Sequence, residues 1–171
     1  MPRGKKKAEP TPTRPRIPDY GIPKTAKGIL SWSFVEERMA AAKNYWLSTT
    51  RPDGRPHARP IDGVWLDGAL AFGGSPKVRW VRNLEANPHV SVHLDSGEEV
   101  VILEGTAERV LDAAHPLATR VLDASKEKYP QYYPGPDRPP FRPFWLFRPD
   151  IAFAWTLSGF PKSATRFRLK S

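Results

Sequence analysis

The sequence contains no cysteine, and its 18 acidic residues are outnumbered by 27 lysines and arginines. Without cysteine there is no disulfide, no thiolate-bound metal and no cysteine nucleophile, and a reducing compartment suits such a chain. No hydrophobic run approaches the length of a membrane-spanning helix, and the charged N-terminus lacks the apolar stretch of a secretory signal. We therefore expect a soluble, cytoplasmic protein that does not enter a membrane.

Proline and positive charge are abundant, and the charge is concentrated at the N-terminus. The 171 residues include 20 prolines and carry a formal net charge of +9, of which residues 1–28 contribute +6. Such a proline-rich basic segment buries too little apolar surface to fold alone. We predict a flexible tail over residues 1–28 and one domain over residues 29–171. Contact with nucleic acid is expected only from the tail, and only weakly, because the charge does not form a face of the domain.

The pattern of apolar residues predicts a mainly β domain with a few helices. Strand-like segments at hairpin spacing cover residues 45–50, 57–66, 69–72, 90–94, 99–110, 145–148, 151–156 and 165–169. The capping-box pattern Ser33 to Glu36 predicts a helix through about Lys43, and a later helix is predicted over residues 112–128. Gly105, inside a long strand, predicts a bulge. Together these features predict a small six-stranded antiparallel barrel with flanking helices rather than a parallel sheet.

A further helix is predicted where three cations precede or open it, namely Lys77, Arg79 and Arg82. Cations at a helix N-terminus face the positive end of the helix dipole, which is unfavourable unless an anion is present. Ser75 and Pro76 suit the N-cap and the first helical position, and the helix is expected to stop at Asn87-Pro88. Such a helix start binds phosphate well.

The residues around this helix start support an anion site and leave one alternative. Gly73 and Gly74 precede it and let a ligand approach the backbone. Arg79, Arg82 and Asn83 are expected to share one helix face, while the apolar residues turn toward the core. The alternative is a solvated surface on which Arg82 pairs with Glu85.

Other candidate sites are weaker. His89 and His93 lie about 13 Å apart if their segment is a strand, so one metal ion cannot join them, and no metal is predicted. Glu98 and Glu99 are adjacent on a strand and point to opposite faces, so they are not a catalytic carboxylate pair. No nucleophile elbow is present, and no catalytic residue is assigned.

The order of these segments resembles the pyridoxamine 5'-phosphate oxidase-like family, the FMN-binding split barrels. A strand ending in Arg-Pro-Ile and one ending in Phe-Gly-Gly are followed by S-x-K-x-R-x-x-R-N-L-x-x-N-P-x-V, and the resemblance covers about Asn44 to Arg166. It implies a six-stranded split β-barrel that forms a homodimer with the cofactor at the interface. It also implies a set of FMN-binding residues: Arg59, Pro60, Ile61, Phe72, Gly73 and Gly74 along the flavin, Ser75, Lys77, Arg79, Arg82 and Asn83 around the phosphate, and Trp155 and Arg166 near the flavin ring.

Two departures from the family pattern shape the functional hypothesis. Arg79-Trp80 stands where the family has Arg-Lys, so one phosphate-binding cation is replaced. Ile151 and Phe153 stand where the true oxidases have a substrate-binding arginine and a glutamate. We therefore predict an FMN-dependent oxidoreductase that acts on an unidentified small molecule other than pyridoxamine phosphate. The alternatives are a reductase that uses the deazaflavin coenzyme F-420 and a non-catalytic flavin- or haem-binding protein.

Overall fold

The computed structural model describes residues 9–135 and 139–169, which form nine strands and three α-helices. In chain order these are β1 (Pro12–Thr13), α1 (Trp32–Ala41), β2 (Asn44–Thr50), β3 (Pro56–Asp62), β4 (Val64–Leu66), β5 (Ala69–Phe72), α2 (Arg79–Ala86), β6 (His89–His93), β7 (Glu99–Val110), α3 (Ala118–Lys128), β8 (Phe144–Thr156) and β9 (Thr165–Arg168). A short 3-10 turn, Pro130–Tyr132, follows α3. The mainly β prediction is confirmed.

The strands close into a six-stranded antiparallel barrel with two added edge strands. The hydrogen-bonded order is β1-β9-β8-β7-β6-β2-β3, and β5 pairs with both β4 and β8. Since only Gly63 separates β3 from β4, the two act as one bent strand that joins β2 to β5 and completes the ring. Any side chain at Gly63 would meet the carbonyl oxygen of Ala71 at 2.9 Å, so glycine is needed at this bend.

The long strand β8 is continuous through a proline, where the sequence predicted two strands. Pro149 lies opposite Gly105, and the register between β7 and β8 shifts between Glu104 and Gly105. This shift confirms the predicted bulge. A side chain at Gly105 would come within 2.1 Å of the carbonyl oxygen of Arg148, so the two chains approach closely here. The bulge explains why proline is tolerated inside a strand that has neighbours on both sides.

The helix starts differ from the predicted ones. Helix α1 begins at Trp32, two residues earlier than a capping box with Ser33 as the N-cap allows, and its N-cap Ser31 makes no side-chain cap hydrogen bond. The Ser33 hydroxyl instead bonds that of Ser31 at 2.7 Å, so the capping-box prediction is wrong. Helix α3 begins at Ala118 rather than residue 112, because Asp112 closes a turn by accepting hydrogen bonds from the next residues.

The helices are fixed to the barrel by polar contacts as well as by packing. The two oxygens of Glu36 in α1 accept hydrogen bonds from the indole nitrogens of Trp32 and Trp65, each at 2.9 Å. At the end of α3, the Lys128 amine donates to the Tyr45 hydroxyl at 2.9 Å and to the Gly63 carbonyl at 2.8 Å. Burial lowers the pKa of Lys128 to about 8.

The sheet extends into the segment that the sequence assigns to a tail. Strand β1 pairs with β9, and the guanidinium of Arg14 donates to four carbonyl oxygens at 2.6 to 2.9 Å, those of Thr25, Lys27, Lys162 and Ala164. The segment needs the barrel for these contacts, which explains why its composition alone did not indicate a strand. Residues 1–8, where most of the lysines of the predicted tail lie, are outside the described residues.

Candidate functional site

Helix α2 begins at Arg79, four residues after the predicted cap. Ser75 instead opens a turn: its carbonyl accepts from the Val78 amide at 3.1 Å, and its hydroxyl accepts from the Lys77 amide at 3.3 Å. Val78 is the N-cap and is extended, so the prediction of Ser75 as the cap is wrong. Arg79 is therefore the first helical residue, and its side chain is exposed beside the free backbone amides of the first turn. The predicted helix end at Asn87-Pro88 is confirmed.

Trp80, the residue after Arg79, packs beneath Gly73 and Gly74, which we call the glycine pair. Its side chain does not face the predicted anion site. Trp80 is 8% exposed, and its ring lies 5.6 Å from that of Phe72. A Cβ atom on Gly74 would lie 2.2 Å from the Trp80 ring, whereas one on Gly73 would meet nothing within 4 Å. Position 80, where the family pattern has a second cation, thus holds an indole ring that packs against the loop at Gly74.

Strand β3 brings two basic side chains toward α2. His57 pairs with Thr49 and Arg59 pairs with Leu47, and both partners are buried on the inner face of β2. Directly paired residues point to the same side of a sheet. Asn83 of α2 reaches this side too, since its amide nitrogen donates to the Thr49 hydroxyl at 2.9 Å. Arg59 and His57 therefore lie on the side of β3 that α2 covers.

Arg51, in the turn between β2 and β3, also lies close enough to act on the charge of His57. The pKa of His57 is lowered by burial first, and then by the charges of Arg59, Arg51 and Arg79. We call Arg51, Arg59 and Arg79 the cation cluster. It combines one residue from the β2–β3 turn, one from β3 and one from α2.

No salt bridge within the described residues neutralises these cations; Asp53, which pairs with Arg55, attracts Arg51 and Arg79 only at longer range. None of the cation cluster, nor the neighbouring Lys77 and Arg82, makes a salt bridge there. The sequence left open a solvated surface on which Arg82 pairs with Glu85. This pair is not formed, because Glu85 pairs with Arg109 at 3.3 Å. Unpaired like charges repel one another, so the arrangement favours a bound anion.

Buried polar atoms without hydrogen-bond partners lie beside the cation cluster. Of the four in the described residues, three belong to Arg51, His57 and Asn83. Asn83 is 1% exposed, and its Oδ1 has no donor. Because the Thr49 hydroxyl donates to the His57 carbonyl, the Asn83 amide must donate to Thr49, which leaves Oδ1 as the free atom. The site thus offers cations for an anion and one buried acceptor for a hydroxyl group.

Three of the predicted residues, Pro60, Trp155 and Arg166, are not brought to the cation cluster. Pro60, Trp46, His93, Ile102, Phe153 and Arg166 form one register row across six neighbouring strands and point out of the barrel. Trp155 follows Phe153 by two residues and shares this outer face. Arg166 lies next to β1, where its Nε donates to the Thr13 hydroxyl at 3.3 Å. Within one chain, Trp155 and Arg166 therefore face away from the cations on the inner side of β3.

A cleft of about 830 Å³ lies beside the glycine pair. One wall is the Gly73–Ser75 segment, and the other is α3 with the aromatic segment that follows it. Asp62 is an acidic group on its surface, and Tyr132 lines the same cleft. The cleft gives a ligand at the glycine pair a largely apolar neighbouring space.

Neither a metal cluster nor a membrane-spanning helix is present among the described residues. The part of the chain that the structure describes has no group of three or more histidines and acidic residues arranged to hold a metal ion. His89 and His93 share one face of β6, as the sequence predicted. No described helix is long and apolar enough to cross a bilayer.

The geometry agrees with what sequence comparison finds. Residues 33–156 match the family described as pyridoxamine 5'-phosphate oxidase. The chain belongs to this family. No curated protein matches the chain. Family membership thus rests on the profile match, which spans α1 to the end of β8, and on the resemblance seen in the sequence.

Solved structures with the same fold include proteins of several different kinds. An F-420 reductase is 26% identical with a TM-score of 0.51, and the alignment covers 68% of this chain and 94% of that one. A FAD-binding protein from Mesorhizobium loti is 19% identical with a TM-score of 0.58, covering 82% and 96%. A haem-binding protein from Mycobacterium smegmatis is 23% identical with a TM-score of 0.60, covering 80% and 57%. These similarities support the fold of this family member, and its ligand has to be inferred from the residues of its own site.

Proposed function

We propose that this family member is an FMN-dependent oxidoreductase that acts on a small molecule. The observation that carries the proposal is the cation cluster beside the buried, unpartnered Oδ1 of Asn83. A phosphate on a chain of hydroxyl groups, as in FMN, matches both features: the cations suit the phosphate, and the acceptor suits a hydroxyl.

The residues of the site have distinct roles in this proposal. Arg59 and Arg79 hold the phosphate, Asn83 accepts from a hydroxyl, and the glycine pair lets the ring approach the backbone. When bound, FMN supplies the hydride-transfer chemistry, and the protein binds and orients it. Arginines near an anionic cofactor also stabilise its negative charge.

We also propose that the active form is a homodimer. The outer face of the barrel carries partly buried apolar side chains on adjacent strands, including Trp46, Ile102 and Phe153. Trp155 and Arg166 share this face and are too remote from the cation cluster of their own chain to act there. In a homodimer that pairs these faces, they would serve the partner's site. Substitution of Phe153 by Arg is expected to give a monomer in size-exclusion chromatography with light scattering, and to weaken FMN binding as well.

The substrate is proposed to differ from pyridoxamine phosphate. Ile151 and Phe153 offer no charge to a phosphate or an amine. The cleft beside Gly73–Ser75 is lined by prolines and aromatic rings, which suits a flat, mainly apolar molecule. Substitution of Leu122, which lines the cleft, by Trp is expected to raise KM for such substrates while FMN still binds.

Titration of the protein with FMN and riboflavin tests the cofactor assignment. We expect FMN to bind and riboflavin to bind at least tenfold more weakly, because only FMN carries the phosphate. Arg79→Gln should remove most of that difference. Arg120→Gln is the matched control, since Arg120 pairs with Asp67 and lies outside the cation cluster. Equal affinity for the two flavins would contradict the phosphate assignment.

Two alternatives are separated by further measurements. An F-420-dependent reductase is favoured by the number of unpaired cations, and it would bind F-420 in preference to FMN. A non-catalytic flavin carrier would bind FMN that no nicotinamide donor reduces and no acceptor reoxidises. Stopped-flow reduction of the loaded protein distinguishes a carrier from an oxidoreductase.

A further inference from the structure

The cation cluster carries more positive charge than one phosphate requires. A phosphate monoester bears at most two negative charges near neutral pH, whereas three unpaired arginines act on His57 and two more unpaired cations, Lys77 and Arg82, flank Arg79. Arg59 and Arg79 suffice for a single phosphate. The role of Arg51 is then unaccounted for.

Arg51 is held in a position where a partner is missing. Its backbone closes the β2–β3 turn: its amide donates to the Arg55 carbonyl and its carbonyl accepts from the Gly54 amide, both at 2.9 Å. Its side chain is half-buried, and its Nε is buried without an acceptor. His57 beside it has a buried Nε2 that is likewise unpartnered. Two desolvated nitrogens without partners are unfavourable unless a ligand meets them.

The neighbouring arginine has a partner that Arg51 lacks. Arg55 belongs to the same turn, and Asp53 pairs with it through a hydrogen bond of 2.6 Å. The Asp53 carboxylate attracts Arg51 and Arg79 only through space, since their charges help to lower its pKa. Removing Arg55 would release this carboxylate toward Arg51, so the matched control is Arg120, which pairs with Asp67 outside the cation cluster.

We propose that Arg51 and His57 form a second anion subsite at the β2–β3 turn, which binds a phosphate or carboxylate group of a cofactor that extends beyond the single phosphate of FMN at Arg59 and Arg79. The inference rests on the proposed cofactor-binding function of the cation cluster. It makes Arg51 a specificity-determining residue, because a cofactor with one phosphate leaves this subsite empty. The second anionic group has two possible sources: the pyrophosphate of FAD, or the carboxylated side chain of F-420.

Equilibrium titration with FMN, FAD and F-420 tests the subsite. The proteins compared are the wild type, Arg51→Gln, Arg79→Gln and the control Arg120→Gln, each first checked for native thermal unfolding. We expect Arg51→Gln to weaken the preferred extended cofactor about tenfold or more, and FMN less than about threefold. Arg79→Gln should weaken all three, and Arg120→Gln should leave all three unchanged. A loss confined to FAD identifies pyrophosphate as the second group, and a loss confined to F-420 identifies the carboxylates.

Three results would overturn the subsite: equal losses of FMN and the extended cofactors in Arg51→Gln, no loss in that variant, or the same loss in Arg120→Gln. Inorganic phosphate and pyrophosphate, titrated by calorimetry, separate this proposal from the cofactor assignment. If wild type binds none of the three cofactors but still binds pyrophosphate through Arg51 more tightly than phosphate, the flavin function fails and the second subsite stands. If pyrophosphate binding does not depend on Arg51, the subsite is refuted whatever the cofactor.

Discussion

The contact between Gly74 and Trp80 gives the sharpest test of how the site is built. A Cβ atom at Gly74 would lie 2.2 Å and 2.4 Å from two ring carbons of Trp80. Carbon atoms in contact normally stay about 3.5 to 4.0 Å apart, so Gly74→Ala forces the ring or the loop to move by more than about 1 Å. Trp80 is 8% exposed and packs against Phe72, so the ring has little room to retreat.

The size of the effect follows from this overpacking. Extra methyl groups in a well-packed region usually cost about 1–3 kcal/mol, and we expect Gly74→Ala to lower the free energy of unfolding by that amount. Trp80 directly follows Arg79, so its displacement also moves the start of α2. We therefore expect the Kd of FMN to rise about tenfold or more, because a shift of 1 Å already impairs a preorganised site.

Gly73→Ala is the matched control. The added methyl group meets nothing within 4 Å, so its effect on unfolding should stay within about 0.5 kcal/mol. Urea unfolding and FMN titration would be measured for both glycine variants, for Trp80→Phe, and for Gly74→Ala combined with Trp80→Phe, which removes the clashing ring atoms. The double variant should lose at least about 1 kcal/mol less than the sum of the single ones. Equal effects of the two glycine substitutions, or strict additivity in the double variant, would refute the reasoning.

Three contacts elsewhere in the fold give further predictions. Burial lowers the pKa of Lys128 from 10.5 to about 8. Between these pH values the unfolded chain binds the proton more tightly than the folded one, so the free energy of unfolding should rise with pH. The full shift corresponds to about 3.4 kcal/mol, and solvent that reaches this half-buried amine reduces the expected rise to about 1–2 kcal/mol. Lys128→Met should flatten that rise in urea unfolding between pH 7 and 9.5, and an equal rise in the variant would contradict the assignment. Glu36→Ala leaves the indole N–H groups of Trp32 and Trp65 without an acceptor and should lower the free energy of unfolding by about 2–4 kcal/mol. Glu36→Gln keeps one acceptor and should lower it less. Arg14→Ala should cost about 1–3 kcal/mol and expose the N-terminal segment to protease, and unchanged proteolysis would show that its four carbonyl contacts do not hold the segment.

Local patterns in the sequence were sufficient for most of the barrel. The bulge at Gly105 was predicted because a glycine interrupts an otherwise strong strand, and the structure places the register shift there. The helix starts were less accurate: Ser33 and Ser75 both have the chemistry of an N-cap, but each hydroxyl is used inside a turn or by a neighbouring serine. Short-range capping signals do not reveal which of several adjacent residues the tertiary structure uses.

The site was only partly predictable for a different reason. Arg79 and Asn83 were predicted from the start of α2 and Arg59 from the family motif, and the structure places all three on one side of β3; their assignment to a cofactor stays a prediction. Arg51 and His57 were missed, because their position depends on the β2–β3 hairpin folding under α2. The only sequence signal was the Pro-Asp-Gly turn, which indicates a hairpin and sets His57 opposite Thr49 but does not reveal that α2 covers it.

These missed residues bear on the departure at Trp80. The family pattern has a second cation there, and in this chain the position instead supports the loop through an indole against Gly74. A positive charge absent from α2 is present at the β2–β3 turn in Arg51, which makes no salt bridge with a described residue, while Arg55 of the same turn pairs with Asp53. The positive charge therefore lies nearer to the turn than the family pattern would place it. An anion that is centred between Arg79 and Arg51 lies nearer to the hairpin than one held by two adjacent helical cations. Position 80 is buried under the loop, so Trp80→Lys would not add a cation to the site, and we expect it to lower stability and to weaken all three cofactors. Arg51→Gln, by contrast, should weaken FAD or F-420 more than FMN. If Trp80→Lys gave a folded protein that bound FMN more tightly, position 80 would face the phosphate, and the charge at the turn would not be a substitute for the missing cation.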